Sequence, residues 1–548
     1  MLQLPRSIAA AIVVPVVALF LETSAAQAAT FNLIETTIPD IQFALDTELI
    51  TSEYLVQQYL NRIATYDVQG PALNTIIQLN PKALETAKAL DLERSQSGSR
   101  GPLHGVPILL KDNIDTADLP TTAGALILDG SIPPDDAFIT RRLRDQGAII
   151  LGKTNLTEFA NFVSFTMPNG FSAVGGQTLN PYDPGEFDVS GSSSGSAAAV
   201  AANLAPIAIG TETSGSILSP ASFNSVVGIK PTVGLISRDG IIPISETQDT
   251  AGPLARSVRD AAILLGALTG IDPNDPATAT SAGQFFEDYT QFLNPDGLEG
   301  ARLGVIRNPF IDDFLFDDEL PLADQAFADL KTLGAEIIEV DLPNLDELFA
   351  LDFTVLDYEF NAGIEAYLGS LGENAPAATL ADIVAFNAAN ADVAIPFGQE
   401  VLEISLATGG DLTDPIYLEA LARDVRVTAT EGVDVLLEEF DLDALLYFDS
   451  IAAISGAQPG YPSITVPTGY TESGRPLGLT FLNSAFTEPK LIELAYAYEQ
   501  GTLLRRPPAS APAIAGDQVT VPEADVDKAL LAVTLVALGY RLRHRKHG

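Results

Sequence analysis

The feature that most constrains this chain is a stretch rich in serine, glycine and alanine, VSGSSSGSAAAVAANLAPIAIGTETSGSI, which occupies residues 189–217. Its middle predicts an alanine-rich helix over 196–204 and a short apolar strand over 206–210. A turn-rich loop over 211–217 follows the strand. Serines therefore stand on both sides of one helix–strand unit. Either group could contain a nucleophile, provided that another residue takes its proton.

Helices and short apolar strands alternate along the body of the chain. This alternation predicts an α/β fold with a largely buried sheet, in one domain over residues 29–507 that has neither an internal repeat nor a linker. Helical periodicity covers residues 33–66, 81–95, 257–270, 322–333 and 490–503, and strand character covers 443–450, 463–470 and 477–483.

The N-terminal residues 1–28 have the pattern of a secretory leader. Arg6 precedes an apolar stretch over 8–21, and Ala26-Gln27-Ala28 supplies the small-x-small site of a signal peptidase. The alternative is a retained anchor, which the shortness of the apolar stretch disfavours, because a spanning helix needs ~20 residues. We therefore predict an exported protein that is periplasmic, on the cell surface or extracellular.

The C-terminal residues 508–548 begin as a spacer rich in proline and alanine. An apolar run over 529–540 and a basic end follow it. The order Pro-Glu, apolar run, basic end resembles a PEP-CTERM sorting tail, which marks exported proteins in some bacteria. This tail offers a route to membrane association. The alternative is an amphipathic helix that packs on the domain.

Composition excludes several classes of function. The chain has 29 basic and 72 acidic residues, and its formal charge of −43 repels phosphate backbones, so we expect no nucleic-acid partner. The sequence contains no cysteine, which removes thiol nucleophiles, disulfides and thiolate metal sites. It has three histidines and no H-E-x-x-H motif. We therefore predict neither a metal nor another cofactor.

Residues 191–195, GSSSG, formally match the G-x-S-x-G elbow of α/β-hydrolases, with Ser193 as the nucleophile. Such an elbow needs a strand before the serine and a histidine later in the chain. The preceding residues, NPYDPGEFDVSG, lack strand character, and the only later histidines, His544 and His547, lie in the basic tail. His104 lies upstream and is predicted to be structural. The elbow is therefore disfavoured.

Residues 147–154, GAIILGKT, match the phosphate-binding pattern G-x-x-x-x-G-K-[ST]. A phosphate-binding loop needs its four middle residues to remain a loop, so that their N–H groups can face the phosphate. Here those residues are Ala-Ile-Ile-Leu, which favour a buried strand. Nucleotide hydrolysis is therefore disfavoured.

A lysine offers a third way to activate a serine. A buried lysine loses its proton near neutral pH and can then act as a general base. Lys111, Lys153 and Lys230 each end an apolar run, where burial is expected. Spacing alone does not choose among them. No lysine has a serine three residues before it, so the S-x-x-K motif is absent.

The sequence resembles the amidase signature hydrolases over nearly all of residues 31–507. The resemblance rests on the serine-rich stretch, on GPLHGVPILLKDNI and GAIILGKTNLTEF before it, and on VVGIKPTVGLISRDGIIPIS, DTAGPLARSV and YPSITVPTGY after it. It implies one large α/β domain with a central mixed β-sheet covered by helices on both faces.

The resemblance also implies a catalytic triad of lysine, bridging serine and nucleophilic serine. Carried over onto this sequence, the lysine is Lys111, the nucleophile is Ser216, and the bridge is Ser192, preceded by a cis peptide bond. Ser193 would support the bridge. Because Ser192, Ser193 and Ser194 are consecutive, a shift of register would move the bridging role.

Backbone N–H groups from Thr213 through Ser214 and Gly215 to Ser216 are expected to face the developing oxyanion. Each such donor lowers the activation barrier by roughly 3–4 kcal/mol. The sequence departs from the usual Gly-Gly-Ser-Ser-Gly-Gly core, because serine stands at the outer glycine positions, Ser190 and Ser194. Ser214 also replaces a glycine. These departures leave the triad complete.

The implied activity is hydrolysis of carboxamide C–N bonds to a carboxylate and ammonia or an amine. The G-T-E-T-small-G-S-I version of the motif resembles members that act on simple amides and C-terminal peptide amides, so a small-molecule or peptide amide is the expected substrate. Two alternatives remain open: a catalytically silent binding or surface protein on the same scaffold, and a serine esterase that uses Ser193.

Overall fold

The computed structural model describes residues 30–342 and 344–520. One compact unit extends from Phe31 to Gln518. The predicted leader over residues 1–28 lies outside the described residues, as does the apolar and basic part of the predicted tail. Within the described residues, no helix combines the length and the apolar character that crossing a bilayer requires.

The described residues contain fifteen strands. They are β1 (Thr30–Asn32), β2 (Ile76–Leu79), β3 (Pro107–Lys111), β4 (Ile149–Thr154), β5 (Phe171–Ser172), β6 (Gly176–Gln177), β7 (Ile207–Glu212), β8 (Val227–Lys230), β9 (Thr250–Ala255), β10 (Arg302–Val305), β11 (Glu336–Glu339), β12 (Ala444–Phe448), β13 (Ser463–Tyr470), β14 (Pro476–Leu482) and β15 (Gln518–Thr520).

The same residues form seventeen α-helices. They are α1 (Ile38–Asp46), α2 (Ser52–Arg62), α3 (Ala83–Ser97), α4 (Phe138–Asp145), α5 (Ser194–Ala201), α6 (Leu218–Phe223), α7 (Val258–Leu268), α8 (Leu320–Thr332), α9 (Leu345–Leu348), α10 (Thr354–Ser370), α11 (Leu380–Ala389), α12 (Ala391–Ala394), α13 (Glu400–Thr408), α14 (Pro415–Val425), α15 (Asp434–Glu439), α16 (Ala453–Gly456) and α17 (Glu488–Thr502).

Eleven strands form one mixed sheet in the order β11-β10-β12-β14-β13-β8-β9-β7-β3-β4-β2. Strand β3 pairs in parallel with both β4 and β7, whereas β8, β9, β13 and β14 pair antiparallel with their neighbours. Helices α5, α6, α7 and α17 pack directly on the central strands. The predicted α/β fold, a large mixed sheet flanked by helices, is confirmed.

The register of β3 and β7 positions the chemistry of the serine-rich stretch. Ile108 lies opposite Ile207, and Leu110 lies opposite Ile209, in a parallel pair. Parallel strands end at the same edge of a sheet, where α/β proteins commonly bind ligands. Lys111, the last residue of β3, therefore lies beside the end of β7 and the loop that follows it.

One predicted helix differs from the structure. The helix predicted over 33–66 is interrupted after Asp46, because Thr51 starts a new helix by accepting a hydrogen bond from the Tyr54 N–H. Threonine caps a helix in this way but rarely continues one. In contrast, residues 149–154 form the buried strand β4 that their apolar character indicated, rather than a phosphate-binding loop.

The compact unit extends beyond the predicted boundary at residue 507 and ends at Gln518. Arg62, which is fully buried, explains why the chain stays attached. Its guanidinium donates to the carbonyl oxygens of Ala511 and Pro512 and forms an ion pair of 2.7 Å with Asp517. The composition of this segment indicated a spacer because backbone carbonyl contacts leave no pattern in a sequence rich in proline and alanine.

Candidate active site

Lys111 and Ser192 are in direct contact inside the protein. Lys111 Nζ donates to Ser192 Oγ at 2.7 Å and to Thr211 Oγ1 at 2.9 Å, and both Lys111 and Ser192 are fully buried. Ser192 follows a cis peptide bond, Gly191–Ser192, at the position where the resemblance predicted one. The structure thus brings together two of the three residues of the predicted triad.

The environment of Lys111 favours its neutral form. Burial lowers the pKa of the Lys111 ammonium from its ordinary 10.5 to about 7, although the nearby carboxylates of Asp249 and Glu212 act in the opposite direction. A large fraction of Lys111 is therefore unprotonated near neutral pH. An unprotonated amine that contacts a serine hydroxyl is suited to accept its proton.

Ser216 lies in the loop between β7 and α6 and keeps 9 % exposure, whereas Lys111 and Ser192 have none. Its carbonyl oxygen accepts a hydrogen bond from the Ser193 N–H at 3.2 Å, which ties the loop to the segment that contains Ser192. The Ser216 hydroxyl makes no hydrogen bond within the described part of the chain. Such contacts are often long in ligand-free enzymes and shorten when substrate binds.

The three consecutive serines have different partners. Ser193 Oγ donates to the Thr211 carbonyl oxygen at 3.0 Å and accepts from the Thr211 N–H, so it joins this segment to the end of β7. Ser194 Oγ donates to the Ser190 carbonyl oxygen. Of the three, only Ser192 contacts Lys111 in the described structure. Ser193 is also fully buried and follows a loop rather than a strand, unlike an elbow serine.

Ser190 shows why glycine is usual at its position. Its φ of +60° lies in the left-handed region, which costs little only for glycine. Here Asp188 Oδ1 accepts from the Ser190 N–H at 2.7 Å, and the Ser190 hydroxyl donates to Ser219 Oγ at 2.6 Å. These bonds compensate for the backbone conformation.

One of the predicted oxyanion donors is already engaged. The Gly215 N–H donates to Glu212 Oε1 at 2.8 Å, so this amide is not free to bind a substrate oxygen, in contrast to our expectation. The N–H groups of Ser214 and Ser216 have no acceptor among the described residues and remain available. Gly215 itself has a φ of +88°, and this turn directs the loop back toward Glu212.

Glu212 organises the loop that contains Ser216 and was not singled out from the sequence. Its buried carboxylate accepts N–H groups from Gly215, from Ile217 at 2.7 Å and from Leu218 at 3.0 Å. Three backbone donors on one carboxylate fix the loop on both sides of Ser216. The signal was present in the sequence, since an acidic residue inside an otherwise apolar buried strand needs nearby donors.

The other two candidate lysines have structural partners. Lys153 forms a buried ion pair of 3.2 Å with Asp112. Lys230 is buried, as expected, and donates to the carbonyl oxygens of Tyr461 at 2.9 Å and Pro231 at 3.3 Å. Burial lowers its pKa to about 8. Neither lysine contacts a serine of the predicted triad.

His104 is buried and bonded to the backbone. One ring nitrogen, Nε2, lies 3.0 Å from the Leu90 carbonyl oxygen, and the Arg100 N–H donates to Nδ1 at 3.2 Å. This supports the structural role predicted for it. Within residues 30–342 and 344–520, no group of three or more histidine, cysteine or acidic side chains is arranged to hold a metal ion.

Comparison with known proteins identifies the class. The family model described as Amidase matches residues 54–492. The peptide amidase of Stenotrophomonas maltophilia is 48% identical, with a TM-score of 0.83 over 87% of this chain and 99% of that one. A peptide amidase solved with the competitive inhibitor chymostatin is 49% identical, with a TM-score of 0.83 over 86% and 99%. A probable amidase of Arabidopsis thaliana is 43% identical over 87% of this chain and 92% of its own.

Fold, site and relatives together define a hydrolase that acts on amide C–N bonds. The chain belongs to the amidase family.

Proposed function

We propose that the protein cleaves carboxamides through an acyl-enzyme on Ser216, with Ser192 and Lys111 as the proton relay. The observation that supports this relay most directly is the 2.7 Å contact between Lys111 Nζ and Ser192 Oγ, in a site that excludes solvent from both groups. The lowered pKa of Lys111 supports the same proposal, because the relay needs a neutral amine.

In the proposed reaction, Ser216 Oγ attacks the carbonyl carbon and transfers its proton to Ser192 Oγ, while Ser192 passes its own proton to Lys111 Nζ. The free N–H groups of Ser214 and Ser216 bind the resulting oxyanion. When the C–N bond breaks, Ser192 returns a proton to the leaving nitrogen and recovers one from Lys111. Water then hydrolyses the acyl-enzyme by the same relay, which restores Ser216.

For the substrate, we propose simple carboxamides and peptides with a C-terminal amide. High identity to proteins that are themselves peptide amidases, across 99% of their length, supports this class. A panel of peptide amides and short aliphatic amides tests it, with free ammonia as the readout. Release of ammonia from neither class would contradict the proposed substrate.

We also propose that the protein is exported, on the basis of its leader-like residues 1–28 and its tail. Cell fractionation followed by N-terminal sequencing of the mature protein tests this. A mature chain that starts shortly after Ala28, found outside the cytoplasm, is the expected result. An intact N-terminus on protein in the cytoplasmic fraction would contradict it.

Labelling with a fluorophosphonate probe, followed by digestion and mass spectrometry, tests the relay. We expect the label on Ser216, its loss in Ser216→Ala, and its retention in the matched control Ser473→Ala, which changes a serine outside the site. Lys111→Met should label at least a hundred-fold more slowly, since general-base help contributes about 10²–10⁴-fold.

The two alternatives give different results in the same experiment. A label on Ser193 would contradict the relay and favour the esterase. An unlabelled protein that releases neither ammonia nor amine from any amide would favour the silent scaffold. Ester hydrolysis alone does not separate the two nucleophiles, because either serine could form an acyl-enzyme.

A further inference from the structure

A cavity of about 330 Å³ lies beside the Lys111 hydrogen bonds. Thr211 and Thr213, on the segment that leads to Ser216, form part of its wall. Thr211 Oγ1 accepts from Lys111 Nζ at 2.9 Å and from Asn113 Nδ2 at 3.0 Å, and Asn113 also lines the cavity. A molecule in this cavity would therefore be separated from the Lys111 amine by one side chain.

The cavity wall has more carboxylates than cations. Two of the carboxylates are paired: Asp275 accepts two hydrogen bonds from Arg238, at 2.9 and 2.6 Å, and Asp239 forms an ion pair with Arg141 at 3.0 Å. Two more carboxylates, those of Glu246 and Asp249, form no ion pair within the described residues; Glu246 is exposed, whereas Asp249 is partly buried.

Asp249 is held in place by neutral donors. Thr213 Oγ1 donates to its Oδ1, and the N–H groups of Ile244 and Ser245 donate to its Oδ2 at 2.7 and 2.9 Å. Burial raises the pKa of this carboxyl, although these bonds and the charge of Arg238 act in the opposite direction. Because this partly buried carboxylate has no cation beside it within the described residues, it favours a cation at Oδ1, which accepts only one hydrogen bond.

A second acceptor on the same wall has no donor. Asn113 is 2 % exposed, and its Oδ1 makes no hydrogen bond within the described part of the chain. Its Nδ2 is already used by Thr211 Oγ1. A buried amide oxygen without a donor costs free energy, so its presence on a cavity wall indicates a ligand that carries N–H groups.

The rest of the wall is apolar. Ile242, Pro243 and Ile244 line one part of the cavity, and Ala366 of α10 lies at its exposed rim. This surface suits a short hydrocarbon group better than a fully hydrated ion. The cavity therefore combines two acceptors, one of them anionic, with a small apolar surface.

We propose that this cavity is a binding site for small ammonium ions, either ammonium itself or a short primary alkylammonium. The ammonium group donates to Asp249 and Asn113, and the alkyl group packs against Ile242 and Ile244. This class includes the amines that amide hydrolysis releases, so the inference rests in part on the proposed function.

An ion bound here would affect the reaction through Lys111. The charged groups that act on Lys111 are Asp249 and Glu212, and both carboxylates favour its protonated form. A cation bound at Asp249 offsets one of them and favours the neutral lysine. The acid limb of the kcat/KM profile should then move to lower pH, by about one pH unit for charges separated by several ångströms.

Binding is tested directly on the whole protein, without an activity assay. The melting temperature is measured against methylammonium chloride, with tetramethylammonium chloride and sodium chloride at equal ionic strength as comparisons. We expect a saturable rise with methylammonium only. Asp249→Asn, which keeps the shape of the side chain, should weaken binding at least ten-fold. Asp392→Asn, which removes an exposed carboxylate outside the cavity, should not.

A second variant tests the same binding site in case the Asp249→Asn protein is unstable. Ala366→Trp narrows the exposed rim without changing the core, and it should also weaken methylammonium binding. Equal effects of methylammonium and tetramethylammonium, or undiminished binding in both cavity variants, would overturn the inference.

The pH profile of amide hydrolysis separates this inference from the proposed function. In the wild-type protein, methylammonium should displace the acid limb to lower pH. In Asp249→Asn, the acid limb should lie at the lower pH even without methylammonium. Binding through Asp249 in a protein that hydrolyses no amide would contradict the proposed function alone. Amide hydrolysis with no methylammonium binding would contradict only this inference.

Discussion

In the proposed relay, Lys111 must lose a proton before it can accept one from Ser192, so its pKa should control the rate. Burial places that pKa at about 7. We predict that kcat/KM rises about ten-fold for each pH unit below this value and levels off above it. Lys111→Arg should abolish the rise and most of the activity, because a guanidinium stays protonated. A flat wild-type profile between pH 5 and 8 would contradict a lysine relay.

The same buried lysine should make stability depend on pH. Between pH 7 and 9, the unfolded chain binds the Lys111 proton and the folded protein does not, so the free energy of unfolding rises with pH. The contribution is at most ~1.4 kcal/mol per pH unit. We predict that the wild type gains stability relative to Lys111→Met over this range, as measured by urea unfolding. A constant difference would show that Lys111 is not perturbed.

At this scale the sequence predicted the residues of the triad but not their supporting contacts. Lys111, Ser192 and Ser216 were predicted through motifs that extend along the whole chain, and the structure brings Lys111 and Ser192 into contact. Thr211 was missed, although it contacts Lys111, because a threonine in a strand carries no signal of its partner. Lys153 and Lys230 looked equivalent to Lys111, since the ends of all three apolar runs are buried and only the fold distinguishes their neighbours.

The loop that contains Ser216, the proposed nucleophile, is held by one carboxylate, and this makes Glu212 a positioning residue in the proposed reaction. Glu212→Gln keeps the shape of the side chain but turns one acceptor oxygen into a donor, which opposes the N–H groups of Ile217 and Leu218 or of Gly215. We predict a fall in kcat of about ten- to a hundred-fold with little change in KM. Steady-state kinetics on a peptide amide measures both.

A readout besides the rate separates positioning from general destabilisation. Glu212→Gln should lose about 1–3 kcal/mol of stability, because buried N–H groups lose a charged acceptor. Glu365→Gln, which changes an exposed glutamate of α10, should alter neither kcat nor stability. If Glu212→Gln lowered stability while kcat stayed at the wild-type value, the positioning role would be contradicted.

Elements were predicted best where a single periodicity applies throughout. Strand β13 was predicted with the bounds that it has, and α17 begins two residues before its predicted start. The interruption between α1 and α2 was missed because the apolar spacing continues through it, while α1 ends at Asp46 and the hydroxyl of Thr51 caps the start of α2. A capping contact can interrupt a helix where the apolar spacing continues, so apolar spacing alone does not predict such an interruption.

At the scale of the molecule, the C-terminal part of the compact unit closes over α2. Tyr66 Oη donates to the Pro512 carbonyl oxygen at 2.7 Å, and Tyr54 Oη donates to that of Gly516 at 2.6 Å. These are backbone acceptors, so no side-chain pattern in residues 508–518 indicated them. The fold class followed from the sequence, whereas the end of the domain depended on contacts between segments more than 440 residues apart.

The ion pair between Arg62 and Asp517 should therefore stabilise the whole unit. Both side chains are at most 1 % exposed, and removal of one partner leaves an uncompensated buried charge, at a cost of about 3–5 kcal/mol. We predict this loss for Asp517→Asn and a larger one for a chain that ends at residue 507, both measured by chemical unfolding. Asp46→Asn, which breaks the pair between Arg94 and a carboxylate that is 63 % exposed, should cost less than ~1 kcal/mol. If Asp517→Asn cost no more than Asp46→Asn, the C-terminal segment would rest on the surface without stabilising the fold.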